Sequence, residues 1–183
     1  PGYEKRDETL MMKGIILKGL KRRLPGKFGN KEYQERIKEE FGLICELGFQ
    51  RYFLIVWDLI NWCKQHDIMT GPGRGSVGGS LVAYCMGITD VDPIEYGLVF
   101  SRFISPARID LPDIDMDFED IKRPFIRKHL EDLYGKYNVT GISTFMTLKG
   151  RSALRDVARV FRVNKLETDR AAKSIVVRSG GDF

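Results

Sequence analysis

Three aspartates at every second position are the residues of this sequence best suited to chemistry. They are Asp113, Asp115 and Asp117, in the run from residue 112 to 118. In a β-strand the three carboxylates share one face, and the apolar residues between them share the other. Neighbouring carboxylates on that face lie roughly 6.6 Å apart and repel by about 2.5 kcal/mol at an effective dielectric near 20. The pattern therefore predicts a site for a hard divalent cation, above all Mg²⁺, and two such ions clamp a phosphate during in-line displacement. A solvated strand face is the alternative.

A glycine-rich run lies upstream of these acids, from residue 71 to 80, and leads directly into an apolar, helix-like run. A glycine-rich turn that opens a helix presents unpaired backbone N–H groups at the positive end of the helix dipole, which is a site for phosphate. Ser76 either caps the helix or donates to a phosphate oxygen. The structural alternative is a tight turn with close helix packing.

Two better-known phosphate loops fit this run poorly. No Gly-Lys-Ser or Gly-Lys-Thr occurs, so the GxxxxGK[ST] loop is excluded. The spacing GxGxxG is present, which permits a non-catalytic nucleotide-binding module. Its expected acidic residue, however, meets only Asp90 and Asp92 in a turn. A dinucleotide site also has no use for paired acids on one face, and the aspartate run therefore favours the catalytic interpretation.

The composition is that of one globular domain with a small excess of positive charge. The chain has 183 residues, 43% of them hydrophobic, and a formal net charge of +5. That charge permits a polyanionic partner without demonstrating one. The three cysteines, Cys45, Cys63 and Cys85, contain no CxxC pair and lie in apolar runs, which predicts buried, reduced thiols.

The two ends of the chain indicate an internal piece of a longer polypeptide. The first residue is Pro1 rather than Met, and the last residues end no obvious element. No export leader opens the chain, and no apolar run reaches the ~18 residues needed to span a bilayer. We expect a soluble, cytoplasmic protein with no membrane partner.

Hydrophobic periodicity predicts a mainly helical framework around two strands. The charged face of the second helix is expected to be solvated, the third helix to form the core, and His66 and His129 to be exposed. The predicted helices span residues 9–23, 33–48, 52–63, 81–86, 94–100, 123–134 and 149–163, with one more short helix after 164; the predicted strands span 112–118 and 139–146.

Arginines lie close to the aspartate run in the sequence and along the last long helix. Arg102 and Arg108 lie just before the aspartate run, where they would hold a phosphate bidentately. Arg151, Arg155 and Arg159 recur every four residues and share a helix face, where like charges repel. They require a phosphate-bearing partner or an acidic neighbour.

In this order the pieces resemble the nucleotidyltransferase palm of the polymerase beta type. Closer still is the resemblance to the C-family of bacterial replicative DNA polymerases, the family of the DNA polymerase III alpha subunit. The matching words are Gly-Pro-Gly-Arg-Gly-Ser, Gly-Ser-Leu-Val-Ala-Tyr, Gly-Ile-Thr-Asp-Val-Asp-Pro, Arg-Phe-Ile-Ser-Pro-Ala-Arg and Leu-Pro-Asp-Ile-Asp-Met-Asp-Phe. The resemblance implies an α/β (α+β) fold, a palm with a mixed sheet and flanking helices. Residues 1–48 would form a helical lead-in and residues 49–183 the palm fragment.

The resemblance also implies roles for individual residues. Asp113 and Asp115 match the first two catalytic aspartates, which bind two Mg²⁺ ions that Mn²⁺ can replace, whereas Asp117 matches no catalytic residue. The nucleotide-binding positions are Arg74, Gly75, Ser76 and Arg102, and the positions contacting DNA or phosphate are Arg108 and Arg151.

The implied partners are primer-template DNA, deoxynucleoside triphosphates, the remainder of the polymerase chain and a sliding clamp bound through other regions. The family's third catalytic aspartate is expected beyond residue 183, so this piece alone should be inactive. The run Val77-Gly78-Gly79 departs from the usual small residues, which suggests a divergent member such as a phage-borne one.

Overall fold

The computed structural model describes residues 5–106, 111–145, 147–175, 177–178 and 181–182. The chain divides into two compact units, Pro1–Val139 and Thr140–Phe183. Arg108 lies outside the described residues.

Five α-helices lie in the described part of the first unit. They are α1 (Lys5–Arg23), α2 (Lys31–Glu46), α3 (Gln50–Gln65), α4 (Leu81–Met86) and α5 (Arg123–Tyr134). Their ends follow local chemistry: the Asn30 side chain accepts a hydrogen bond from the Glu32 N–H at the start of α2, and Gly87 ends α4 in the left-handed conformation (φ 77°). The helices predicted at these positions are confirmed.

The core of the first unit centres on α4. Five of its six residues are buried, and α1 and α2 both pack against it. The third helix contributes a buried stripe that includes Phe53, Val56 and Ile60, but its Ile55 is 39% exposed. The helix at the centre of the core is therefore α4, which is buried more completely than α3. Our sequence analysis predicted α3 to form the core.

The mixed sheet implied by a palm fold is not found among the described residues, and the α/β (α+β) assignment is wrong for this chain. Within the described ranges, the regular strands are β1 (Val177–Arg178) and β2 (Gly181–Asp182), which pair antiparallel. Residues 112–118 meet the 70–74 segment only at two isolated bridges. Alternation specifies which side chains face the core, but a strand also needs a continuous partner. The 70–74 segment contains a proline, which has no N–H to donate to a ladder.

Two further predicted elements are also wrong. Residues 139–145 form neither strand nor helix, with Ile142 and Phe145 almost fully exposed. Residues 93–97 form a turn in which the Leu98 N–H donates to Pro93 O (2.7 Å), where a helix was predicted. The types of residues 139–145 suit a strand that has no partner strand among the described residues, and Gly97 takes a left-handed φ of 62° that is typical of a turn or a helix end.

The histidines differ in exposure. His66 is exposed as predicted, whereas His129 is half-buried, with its ring stacked 3.9 Å from the Trp62 ring. The predicted exposure of His129 is therefore wrong.

The second unit contains α6 (Gly150–Val160), α7 (Lys165–Ser174) and the β1–β2 hairpin. Packing between α6 and α7 buries Ala158 and Ala172. No helix within the described ranges is both long and apolar enough to cross a membrane.

Candidate active site

The aspartate run has the two-faced character that its alternation predicts. Asp113, Asp115 and Asp117 are exposed, whereas Ile114 is buried in the main core of the first unit. Met116 and Phe118 are partly buried and pack against core residues. The apolar side of the segment therefore anchors it, and the carboxylates project outward without a surrounding sheet.

The first half of the glycine-rich run lies antiparallel beside this acidic segment. Isolated bridges join Thr70 to Phe118 and Arg74 to Asp115. The Gly71 N–H donates to Asp117 O at 2.9 Å. These backbone contacts hold the loop and the acids in one register.

Among the described residues, Asp117 is the only one of the three aspartates with an ion pair. Its Oδ1 lies 3.5 Å from Arg74 Nε, and both side chains are more than half exposed, so the pair is weak. Asp113 and Asp115 have no side-chain hydrogen bond or ion pair within the described ranges. A bound metal ion would therefore neutralise the carboxylates of Asp113 and Asp115, because neither is paired with a cation among the described residues.

Tyr52 is a site residue that our sequence analysis did not single out. Its side chain, on the first turn of α3, lies close to the backbone of Ile114 between the two aspartates. Burial raises the pKa of the Tyr52 phenol, the charges of Asp113 and Asp115 raise it further, and the nearby Ile114 backbone opposes them. The available signal was a hydroxyl-bearing aromatic on an otherwise apolar helix.

The backbone amides at the start of α4 are not free for phosphate. Glu40 Oε1 accepts from Leu81 N (3.0 Å), while Glu40 Oε2 accepts from Val82 N (2.9 Å) and from Ser80 Oγ (2.9 Å). The Ala83 N–H donates to Ser80 Oγ at 3.1 Å. The helix start therefore already holds an anion, supplied by the protein itself.

Our sequence analysis predicted that the charged face of α2 is merely solvated. Glu40 shows that this prediction is wrong. Its side chain is fully buried, and its Oε1 accepts a hydrogen bond from Arg36 Nε at 2.6 Å. Arg36 Nη2 in turn donates to Gly79 O (2.9 Å) and Leu98 O (3.1 Å). Burial raises the pKa of Glu40, and its hydrogen bonds oppose that shift. This network fixes α4 and the turn that precedes it.

The loop residues predicted to bind nucleotide lie before α4. Gly75 and Ser76 begin a 3₁₀ turn, Gly75–Gly79, that packs against a second turn, Phe100–Arg102. A Cβ atom on Gly79 would lie only 2.6 Å from Val99 O, which shows how closely the turns approach. Arg74, Ser76 and Arg102 are exposed. The structure thus gathers the loop, the aspartates and Arg102 in one compact unit.

The predicted phosphate contacts near the C-terminus lie in the second unit. Arg151 donates to Ile175 O at 2.7 Å. Arg155 pairs with Asp169 (2.9 Å), and Arg159 pairs with Asp156 (2.8 Å). Acidic neighbours therefore compensate two of the three like charges on this helix face.

The acidic residues that a dinucleotide site would need make structural contacts. Asp92 is buried and accepts from the Tyr33 hydroxyl at 2.8 Å. Asp90 pairs with Arg23 at 2.7 Å. These contacts disfavour the non-catalytic nucleotide-binding module.

The donors present fit part of a metal site. Within the described ranges, no group of three or more His, Cys, Asp or Glu residues is arranged to hold a metal ion. Asp113 and Asp115 supply exposed, hard oxygen donors that pair with no cation in the part of the chain that the structure describes, which is the chemistry that Mg²⁺ or Mn²⁺ requires.

Comparisons with known proteins agree on one family. The family model described as "Bacterial DNA polymerase III alpha NTPase domain" matches residues 11–182. The DNA polymerase III alpha subunit of Ureaplasma parvum is 44% identical over 180 residues, covering 96% of this chain and 19% of the relative. Those of Aquifex aeolicus and Bacillus subtilis are each 46% identical, covering 92% and 91% of this chain and 15% of each relative.

The chain therefore spans less than a fifth of the length of these relatives. The resemblance to the C-family polymerases is confirmed, and the chain belongs to the bacterial DNA polymerase III alpha family.

Proposed function

We propose that this chain is the part of a template-directed DNA polymerase that carries two of its catalytic carboxylates. The reaction is transfer of a deoxynucleotide to a primer 3′-hydroxyl in DNA replication. One observation carries the proposal: Asp113 and Asp115 are exposed on one side of an anchored segment, without a cation among the described residues, beside a glycine turn. Family membership supports it.

Asp113 and Asp115 would hold the catalytic metal, which we infer to be two Mg²⁺ ions that Mn²⁺ can replace. When bound, such ions neutralise the charge that develops on the transferring phosphate. Tyr52 packs against the core that contains Ile114, close to the backbone between the two acids, and would help to position the segment that carries them. Asp117 matches no catalytic aspartate of the family and is not a metal ligand in this proposal; its weak ion pair with Arg74 leaves that arginine available to the triphosphate.

The triphosphate of the incoming nucleotide would contact Arg74, Gly75, Ser76 and Arg102. The exposed arginines supply charge-assisted hydrogen bonds, and the glycine leaves the loop backbone accessible. Arg108 and Arg151 are proposed to contact DNA or phosphate. The partners are primer-template DNA, deoxynucleoside triphosphates, the rest of the polymerase chain and a sliding clamp bound elsewhere. We propose a cytoplasmic location, where buried free thiols such as Cys63 and Cys85 stay reduced.

The test is a set of three substitutions in the complete polymerase: Asp113→Asn, Asp115→Asn and Asp117→Asn. Asparagine keeps the shape and removes the charge that a metal ligand must carry. Pre-steady-state incorporation should fall by at least about 1,000-fold for the first two and by less than about tenfold for the third. Isothermal titration with Mn²⁺ should show weaker binding for the first two alone.

Asp117→Asn is the matched control, because it removes the same charge two residues away on the same side of the segment. An equal loss of incorporation in all three variants would refute the assignment of the metal ligands. Normal incorporation by Asp113→Asn would refute the proposed function itself.

A further inference from the structure

A second positively charged site lies between α1, α3 and α4, where a cavity of about 460 Å³ opens at the protein surface. Lys18, Arg22 and Lys64 line it, and no acidic residue does. Trp57 and Asn61 form part of its wall. None of these residues belongs to the proposed catalytic site.

The cations of this region converge on the C-terminal end of α4. A Cβ atom built on Gly87 would lie 3.9 Å from each of three nitrogens: Arg22 Nη2, Arg23 Nη1 and Lys64 Nζ. Among the described residues, the carboxylate that pairs with these cations is Asp90, which lies 2.7 Å from Arg23 and 3.8 Å from Lys64. Positive charge therefore exceeds negative charge at this point.

Capping of α4 explains some of these cations. Arg23 Nη1 donates to Tyr84 O (2.5 Å) and Thr89 O (2.7 Å), and Lys64 Nζ donates to Gly87 O (3.0 Å). Such contacts are favourable at a helix C-terminus.

The capping of α4 does not explain Lys18 and Arg22. Four residues apart on α1, they are exposed and have no hydrogen bond or ion pair to any described residue. Two like charges at this spacing destabilise an isolated helix, and a bound anion would relieve their repulsion.

We propose that this cavity binds a backbone phosphate of single-stranded DNA, held by Lys18 and Arg22 beside the Lys64 that caps α4. The identification of the phosphate with DNA rests on the proposed function. The site is concave, so a flexible single strand can enter it more readily than a rigid duplex. Trp57 adds an aromatic surface of the kind on which unpaired bases stack.

The test measures binding of a fluorescently labelled oligothymidine to the complete polymerase by anisotropy, in EDTA and at several salt concentrations. The variant is Lys18→Gln combined with Arg22→Gln. Each phosphate contact on a single strand contributes a salt slope of about 0.7. Loss of one contact should therefore weaken binding about fivefold at 0.1 M salt and reduce the slope by about 0.7.

The matched control is Lys13→Gln combined with Lys21→Gln, which removes two charges from the same helix outside this cavity. An equal effect from this control would overturn the proposal, because it would show a general charge effect. A loss confined to blunt duplex DNA would also overturn it. So would a double variant that keeps its affinity for the oligonucleotide but loses affinity for inorganic pyrophosphate, measured separately by calorimetry, because the site would then take free phosphate.

The EDTA condition separates this proposal from the catalytic one. Binding without metal does not depend on Asp113 or Asp115, so Asp113→Asn should retain oligonucleotide affinity. Failure of the proposed function would appear only in the incorporation assay.

Discussion

The backbone of Gly75 lies directly against the carboxylate of Asp115. A Cβ atom on Gly75 would be 3.2 Å from Asp115 Oδ2, closer than most real Cβ contacts. Gly75 also has a φ of 72°, a backbone conformation that residues other than glycine rarely adopt. The loop and the acid are therefore in close contact at a position where any side chain would be strained.

Substituting Gly75→Ala should lower incorporation by about tenfold or more, because the methyl group displaces the Asp115 carboxylate or the turn that carries Ser76. The backbone strain should also cost about 1–2 kcal/mol of stability. Single-turnover incorporation and thermal unfolding measure the two effects. Gly78→Ala is the control, because its Cβ would lie 3.8 Å from Leu98 Cδ1, an ordinary contact. Equal activity in both variants would show that Gly75 does not position Asp115.

Arg102→Ala should raise the apparent KM for nucleotide, and Ser76→Ala should raise it less. Both side chains are exposed in turns that pack together, and losing a charge-assisted contact typically costs more than losing a neutral one. We expect about 10-fold and about 3-fold increases. Nucleotide titration at fixed primer-template measures this. An unchanged KM in both variants would place the triphosphate elsewhere.

Glu40→Gln should lower the free energy of unfolding by about 2–4 kcal/mol. The amide cannot accept hydrogen bonds at both ends, so a donor among Ser80 Oγ, Leu81 N and Val82 N loses its acceptor. Urea denaturation measures the change. Glu39→Gln, on the exposed neighbouring position, should shift stability by less than about 0.5 kcal/mol. Similar values for the two variants would contradict the proposed network.

Cys85 should resist alkylation in the folded protein at pH 8. Burial is the main cause that raises the pKa of its thiol to about 12. At pH 8, well below that value, only roughly one molecule in ten thousand carries the reactive thiolate. Iodoacetamide followed by peptide mass spectrometry should label the half-buried Cys45 first and Cys85 only after unfolding. Labelling of Cys85 at the rate of Cys45 would contradict this.

The alternation of charge and hydrophobicity was enough to predict how residues 113–118 are oriented. Apolar side chains avoid water wherever the backbone is extended, so Ile114 is buried and Asp115 is exposed even without a sheet. Hydrophobic periodicity likewise predicted the long helices, and short sequence motifs identified the family. These properties depend on residues close together in the chain.

Contacts between distant segments could not be derived from the sequence. Whether an extended run joins a sheet depends on a partner strand, and the partner here is a loop that contains Pro72. Likewise, the free amides expected at the start of α4 are occupied by Glu40, about 40 residues earlier in the chain. Only the tertiary packing of α2 against α4 brings that carboxylate to the helix start, and a buried charge must find such donors or destabilise the fold. Local pattern thus determined the facing of side chains and the family, whereas tertiary packing decided which polar groups remain free to bind a ligand.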